Sequence, residues 1–197
     1  MLKNTAIVAT LLCTALSANA GTLNWNKYRA SYVSVDSHED KYSADGFALS
    51  ATRMIDENLF GTLQSTLIQY DDIIDGIEAK TETINFDGVI GIKHTYHETT
   101  DIYGSIGFKY YHNDFLAEYN DRTKNDIGYS ATIGVKSIFH NALELHVNSS
   151  RVVFHGDGRW EHLIGVAYHI NRNFSYEASF VKTNYANKFV VGASFGF

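Results

Sequence analysis

The last nine residues of the chain, Phe189 to Phe197, alternate without a break between two kinds of position. Phe189, Val191, Ala193, Phe195 and Phe197 fall on one side, and the mostly small Val190, Gly192, Ser194 and Gly196 on the other. Side chains of a β-strand point alternately to its two faces, so this period of two predicts a strand. A strand with lipid on one face needs an apolar outer row and tolerates small or polar residues inside. The same alternation recurs upstream. Phe86, Ile90 and Ile92 oppose Asp87, Gly91 and Lys93, and Ile102, Ile106 and Phe108 oppose Ser105, Gly107 and Lys109. Ile127, Tyr129, Ala131, Ile133 and Val135 oppose Gly128, Ser130, Thr132, Gly134 and Lys136. Leu143, Leu145 and Val147 oppose Glu144, His146 and Asn148; Trp160, His162, Ile164, Val166 and Tyr168 oppose Glu161, Gly165 and His169. Phe174, Tyr176, Ala178 and Phe180 oppose Ser175, Glu177 and Ser179.

Three less regular strands precede these, over 28–35, 46–55 and 59–70. In the second of them Arg53 shares a face with Leu49 and Ala51, which places it near a membrane boundary. Short connections at Asp56-Glu57-Asn58, His97 to Thr100, His140-Asn141 and Asn171-Arg172-Asn173 suit tight turns, because Asn and Asp tolerate left-handed backbone angles. Between them lie longer acidic stretches at 37–44, 71–82 and 113–126, with shorter ones at 155–158 and 184–187. Short turns at one end and longer loops at the other describe an all-β, antiparallel, up-and-down transmembrane β-barrel. The count is about ten strands, or eight if one weak N-terminal hairpin is lost. A strand of about ten residues at ~3.3 Å each, tilted near ~40°, covers roughly the 25 Å apolar band of an outer membrane.

Composition agrees. Proline is absent and Tyr and Phe are abundant, as expected where every backbone amide serves a sheet and aromatics line membrane interfaces. Tyr28, Tyr32, Tyr96, Tyr110, Trp160 and Tyr168 are candidates for those girdles. After the N-terminal region no run of apolar residues is long enough for a membrane helix. That region, Lys3 followed by the apolar stretch Ala6 to Ala18 and the small-x-small step Ala18-Asn19-Ala20, reads as a cleaved export signal over residues 1–20, leaving 21–197 as the barrel. The sole cysteine, Cys13, lies within it and follows Leu12 rather than the small residue of a lipoprotein site, so thiol catalysis and cysteine metal sites drop out of the mature chain. The formal charge of −6 becomes about −7 once Lys3 is lost, a balance that argues against nucleic-acid binding.

The inward rows carry both signs. Lys93, Lys109 and Lys136 each follow a glycine by two residues on strands four to six, Glu144, Glu161 and Glu177 lie on strands seven to nine, and Arg29 joins the basic set. Charges cut off from bulk water are costly unless paired. Acids and bases from opposite walls are therefore expected to neutralise one another across a largely closed lumen. A narrow path for ions or small solutes lined by the same residues is the alternative. The inward glycines are read as relief from crowding beside long side chains.

Nine histidines raise the question of catalysis. His112 with Asp114 and His155 with Asp157 fall where strands meet outer loops, and a rim hydrolase would need all four to converge. Such enzymes use longer strands that rise above the membrane to build a cleft. His146 and Ser150 share a face but stand about 13 Å apart along a strand, too far for direct proton transfer. The acidic residues Asp36, Glu39, Asp40, Asp71, Asp72, Asp75 and Glu78 could bridge anionic lipid groups through divalent cations, or simply keep the surface solvated. No catalytic set, cofactor or resident metal site is expected.

Asp45-Gly-Phe-Ala-Leu-Ser-Ala-Thr, Glu57-Asn-Leu-Phe-Gly, Gly88-Val-Ile-Gly-Ile-Lys, Asp101-Ile-Tyr-Gly-Ser-Ile-Gly-Phe, Gly128-Tyr-Ser-Ala-Thr-Ile-Gly-Val-Lys and the terminal Gly192-Ala-Ser-Phe-Gly-Phe together resemble the small porin-like outer-membrane β-barrel proteins. The resemblance spans essentially the whole of 21–197. It implies export to the periplasm and insertion in the bacterial outer membrane by the barrel-assembly machinery. That machinery would read the terminal signature Phe189, Val191, Phe195 and Phe197. It implies contact with outer-membrane lipid and lipopolysaccharide and a monomeric state, and it names no single activity or extracellular partner.

Overall fold

The computed structural model describes residues 23–37, 43–74, 77–117, 122–140 and 142–197. The proposed signal with Cys13, and Glu39, Asp40 and Asp75, lie outside the described residues, as do the side chains of Asp71, Asp72 and Glu78.

The described residues form ten strands: β1 (Lys27–Ser37), β2 (Ser43–Met54), β3 (Leu59–Ile74), β4 (Ile77–His97), β5 (Thr100–Ala117), β6 (Arg122–Phe139), β7 (Leu143–Phe154), β8 (Asp157–His169), β9 (Phe174–Thr183) and β10 (Ala186–Gly196). Each pairs antiparallel with its neighbour in sequence, and β1 pairs with β10 from Lys27↔Gly196 to Ser37↔Ala186, which closes the ring. Among the described residues no sheet edge is left unpaired, and a closed ring is what a bilayer demands of strands. The ten-strand count holds, and the even number puts both ends of the described chain on one side.

The faces follow the alternation. Phe47 and Leu49 on β2, Leu63 on β3, Ile90 and Ile92 on β4, Ile106 on β5, Ile133 on β6, Ile164 on β8 and Phe195 on β10 are all exposed on the outer wall. An apolar surface of this extent, running round a closed antiparallel barrel with short turns at one end, belongs to an integral outer-membrane β-barrel. Arg53 also points outward, one residue from the periplasmic end of β2, at the boundary its neighbours require. Tyr28 stacks on Phe197 at the same end, with ring centroids 4.7 Å apart, and the Phe197 amide donates to the Asn26 carbonyl.

The turns obey local chemistry. Asn171 Oδ1 accepts from the amides of Asn173 and Phe174, both at 2.9 Å, closing the β8–β9 connection as a side-chain turn. At the outer end His155 (φ 46°) and Gly156 (φ 89°) make the two-residue β7–β8 hairpin, a turn that requires positive φ at both positions.

The acidic stretches 71–82 and 113–126 depart from the expectation of loops. β3 and β4 stay paired as far as Ile74↔Ile77, and β5 and β6 as far as Phe115↔Arg122. Above the membrane a ladder needs no lipid-facing apolar row, so the pairing continues on polar cross-strand contacts. Gln69 bonds Glu82 at 2.8 Å, Asn113 bonds Thr83 at 2.8 Å, and Thr123 bonds Asp114 at 2.7 Å. Period-two hydrophobicity vanished there because the solvent changed, not the structure. With 16, 21, 18 and 18 residues, β3 to β6 outgrow the 10 to 13 residues of the other strands. They raise a one-sided wall above the outer surface.

Ile133 faces lipid midway along β6, whereas Tyr96 faces outward near the periplasmic end of β4. Ile133→Arg is expected to cost about 2–4 kcal/mol of unfolding free energy in lipid vesicles and Tyr96→Arg no more than about 1. Equal losses at the two sites would contradict this placement of the membrane.

Candidate functional site

Among the described residues the lumen gathers most of the charged and polar groups, and its periplasmic mouth is filled by a residue the strand pattern did not flag. Trp25 precedes β1, turns into the barrel and is only 5% exposed. Its indole Nε1 donates to Asp101 Oδ2 at 2.7 Å. Its ring lies 4.5 Å from that of Phe60 and meets Tyr103 edge-on at 5.4 Å, and the Lys136 ammonium sits 4.0 Å above its centroid. An aromatic with one polar edge can be buried when that edge finds an acceptor, and a cation over the ring face adds attraction.

Two glycines make the room. Gly91 stands opposite Phe60 and Gly134 opposite Tyr103 in register, and a Cβ on either would sit inside the facing ring. The glycine of the Gly91-x-Lys93 step and that of the Gly134-x-Lys136 step thus admit the two aromatics that grip Trp25. Tyr103 carries the contact onward: its hydroxyl shares a 2.6 Å hydrogen bond with His146 Nε2 and accepts one from Asn148 at 3.1 Å.

All the expected lumen charges point inward, and the structure gives all but Lys136 a partner close by. Lys93 meets Asp101 at 3.4 Å, and Lys109 meets Asp87 at 3.1 Å, each from the adjoining strand. Glu177 is held by Lys27 at 2.8 Å and by Arg29 at 3.2 Å; Glu161 by Arg159 at 3.2 Å, two residues along its own strand; Glu144 by His169 at 3.2 Å. Lys136 rests on the Trp25 ring. The expected pairing of Lys93, Lys109 and Lys136 with Glu144, Glu161 and Glu177 across the lumen is therefore not the arrangement found. Neighbouring strands lie about 4.8 Å apart, so an inward carboxylate reaches a cation on the same or a nearby strand before one on the far wall.

These groups form two layers. Lys27, Arg29, Lys93, Asp101, Lys136, Glu144, His169 and Glu177 lie toward the periplasmic ends of their strands, around Trp25. Asp87, Lys109, Arg159 and Glu161 lie farther out, with Lys188 of β10 facing inward beside Glu161. A cavity of about 340 Å³ runs past both layers, where Ser50, Gln64, Thr132 and Ser150 share the wall with the charged groups and with apolar residues such as Val89 and Leu163.

The rim candidates separate. His112 contacts Asn125 and, at 3.0 Å, Asp114, while His155 contacts Asp126 at 2.8 Å. Asp157 opens β8 without joining either pair, so no four-residue site assembles. His146 and Ser150 do not meet either, since Ser150 bonds Thr132 at 2.7 Å.

No protein-family profile and no curated protein matches the chain. Among solved structures, it is similar to the translocator domain of the autotransporter NalP from Neisseria meningitidis at 11% identity and a TM-score of 0.51, covering 98% of this chain and 96% of that one. It is similar to the NanC porin at 10% identity and a TM-score of 0.50, over 87% and 100% of the two chains. For Ail, the attachment invasion locus protein of Yersinia pestis, identity is 11% and the TM-score 0.47, over 87% and 99%. At this identity the likeness is one of fold.

Two outcomes follow from the geometry. Trp25→Ala is expected to cost about 3–5 kcal/mol in unfolding by urea. Trp25→Phe keeps an aromatic ring in the site but gives up the bond to Asp101 and the pyrrole half of the indole, and is expected to cost less, about 1–3 kcal/mol. Equal costs would leave the ring contacts without a role, and a costless Trp25→Phe would leave the hydrogen bond without one. Above the membrane, His112 has an acceptor facing each ring nitrogen, Asn125 first in strength and Asp114 second, and both raise its pKa above the usual 6.5. Its protonated form contributes its full stabilisation below pH 6.5, and this is lost as pH rises through the raised value. Following the imidazole by NMR should show this late titration, and Asp114→Asn should bring it back toward the ordinary value.

Proposed function

We propose that this protein is a non-enzymatic surface barrel whose lumen is closed to solutes at its periplasmic mouth. The observation that carries the reading is the seating of Trp25 on Phe60, Tyr103, Asp101 and Lys136, inside a layer of paired charges. A tryptophan held by an ion-paired carboxylate, two aromatic rings and a cation is a fixed plug. What remains for function is the outside. The β3–β6 wall rises above the membrane and offers polar strands to a partner beyond the cell, while the apolar girdle holds it in lipid and lipopolysaccharide. Residues 1–20 act as the cleaved export signal. The outward Phe189, Val191 and Phe195 of β10, with Phe197 beyond them, present the mark the barrel-assembly machinery reads, and the barrel works as a monomer.

A narrow channel is the second reading, favoured by the cavity of about 340 Å³ that the charged groups of both layers help to line. Planar-bilayer recording separates the two. The full chain is expected to show no steady unitary conductance, and Trp25→Ala to show small, reproducible openings. Reproducible openings in the unaltered protein would overturn the closed-lumen reading.

A further inference from the structure

The membrane-level outer wall is largely apolar, and on β7 to β9 polar residues break it in one connected patch. Following the strand register across β5 to β9, one lipid-facing row runs Ile102, Val135, Val147, Ile164 and Phe180, each opposite the next. The next row toward the outside runs Gly104, Ile133, Ser149, His162 and Lys182, again partner to partner. One step farther, Arg151 stands opposite Trp160. Apolar residues therefore give way to Ser149, His162, Lys182 and Arg151 within two rows, just inside the outer ends of β7, β8 and β9.

The side chains at this boundary are arranged rather than scattered. The Arg151 guanidinium lies 5.5 Å from the Trp160 ring centroid and crosses Gly158, whose missing side chain leaves it room to reach toward the outer surface. Trp160 stacks on His162 at 6.2 Å with the planes 4° apart, and His162 Nδ1 lies 3.0 Å from the Ser149 hydroxyl. Lys182 is exposed and makes no ion pair among the described residues. The outward rows of β7, β8 and β9 hold no carboxylate, whereas outward Asp36, Asp45 and Glu82 lie on β1, β2 and β4. Below the cations the wall is concave: Ile102, Ile133, Val135, Val147, Ile164 and Phe180 line an open groove of about 530 Å³ whose upper margin is His162 and Lys182.

A cationic head above an apolar furrow is the complement of an anionic amphiphile. Cations facing hydrocarbon level are costly without an anionic partner, and long Lys and Arg side chains at such a depth reach up to the headgroups. A phosphate gains charge-assisted hydrogen bonds from both Arg and Lys. The outer leaflet supplies one lipid that joins phosphates to several acyl chains at this depth. We infer that the β5–β9 wall is a site for a phosphorylated, multiply acylated glycolipid, the lipid A part of lipopolysaccharide. Arg151 and Lys182 hold its phosphates, His162 and Ser149 flank them, and one acyl chain lies in the groove. The site is on the opposite face of the wall from the lumen and does not depend on whether the lumen conducts.

The test uses the full chain folded in neutral-detergent micelles and titrated with bisphosphorylated lipid A, with bound lipid read by native mass spectrometry. One lipid A is expected per barrel. The Arg151→Gln, Lys182→Gln double variant should bind about tenfold or more weakly. Val147→Trp, which fills the groove and leaves the cations, should weaken binding as well. Heat-modifiable gel migration establishes that each variant is folded; if the double variant is not, Lys182→Gln alone, at an exposed position, carries the test. Equal binding of dephosphorylated lipid A, or of phosphatidylglycerol, would overturn the assignment. So would a barrel dimer that the same substitutions dissociate without any change in retained lipid.

Discussion

Hydrocarbon offers no partner to a peptide group, and the rest of this structure descends from that fact. Each strand must be bonded on both sides, so the sheet has to close, and it closes through β1 on β10. Closure divides the side chains into two populations with opposite solvents. The outer row has to be apolar, and the inner row has to fill a space from which bulk water is largely removed. A sequence under those two demands can hardly avoid period-two alternation.

That is why the membrane-embedded architecture was legible and the parts beyond it were not. From Phe86 to Phe195 each alternating stretch falls on the face its pattern indicates, because lipid enforces the pattern residue by residue. The upper halves of β3 to β6 obey no such rule: Thr, Asn, Asp and Glu can stand on either face in water, so 71–82 and 113–126 resembled loops. Their strand character rests on cross-strand partners such as Asn113 with Thr83, which only the register reveals.

The lumen shows the same division. Which residues point inward could be read from parity, and Lys93, Lys109, Lys136, Glu144, Glu161 and Glu177 do so. Which partner each takes could not, since Asp87 meets Lys109 only because the β4–β5 register sets them directly opposite. The Arg159–Glu161 pair was available to sequence reading, being two residues apart on one row, and was overlooked. Trp25 left the faintest trace: it lies outside any regular alternation, and its sole clue is that it shares odd parity with Lys27 and Arg29. The glycines of the Gly-x-Lys steps were read as relief of crowding, and at Gly91 and Gly134 the crowding turns out to be an aromatic ring on the opposite strand.

Every backbone ladder in the barrel joins chain neighbours or closes the seam, and a ring held only by its ladders is a flexible hoop. Its circumference is set by strand number and register, but its cross-section can flatten into an ellipse without breaking a single ladder bond. Trp25 differs in kind, because it is anchored beside β1 and holds Asp101 of β5, 76 residues away, from across the opening. It acts as a spoke. With the β1 side tied to the β5–β6 side at the periplasmic rim, the hoop is braced in the direction the ladders leave soft, and roundness at that end is a property of one indole.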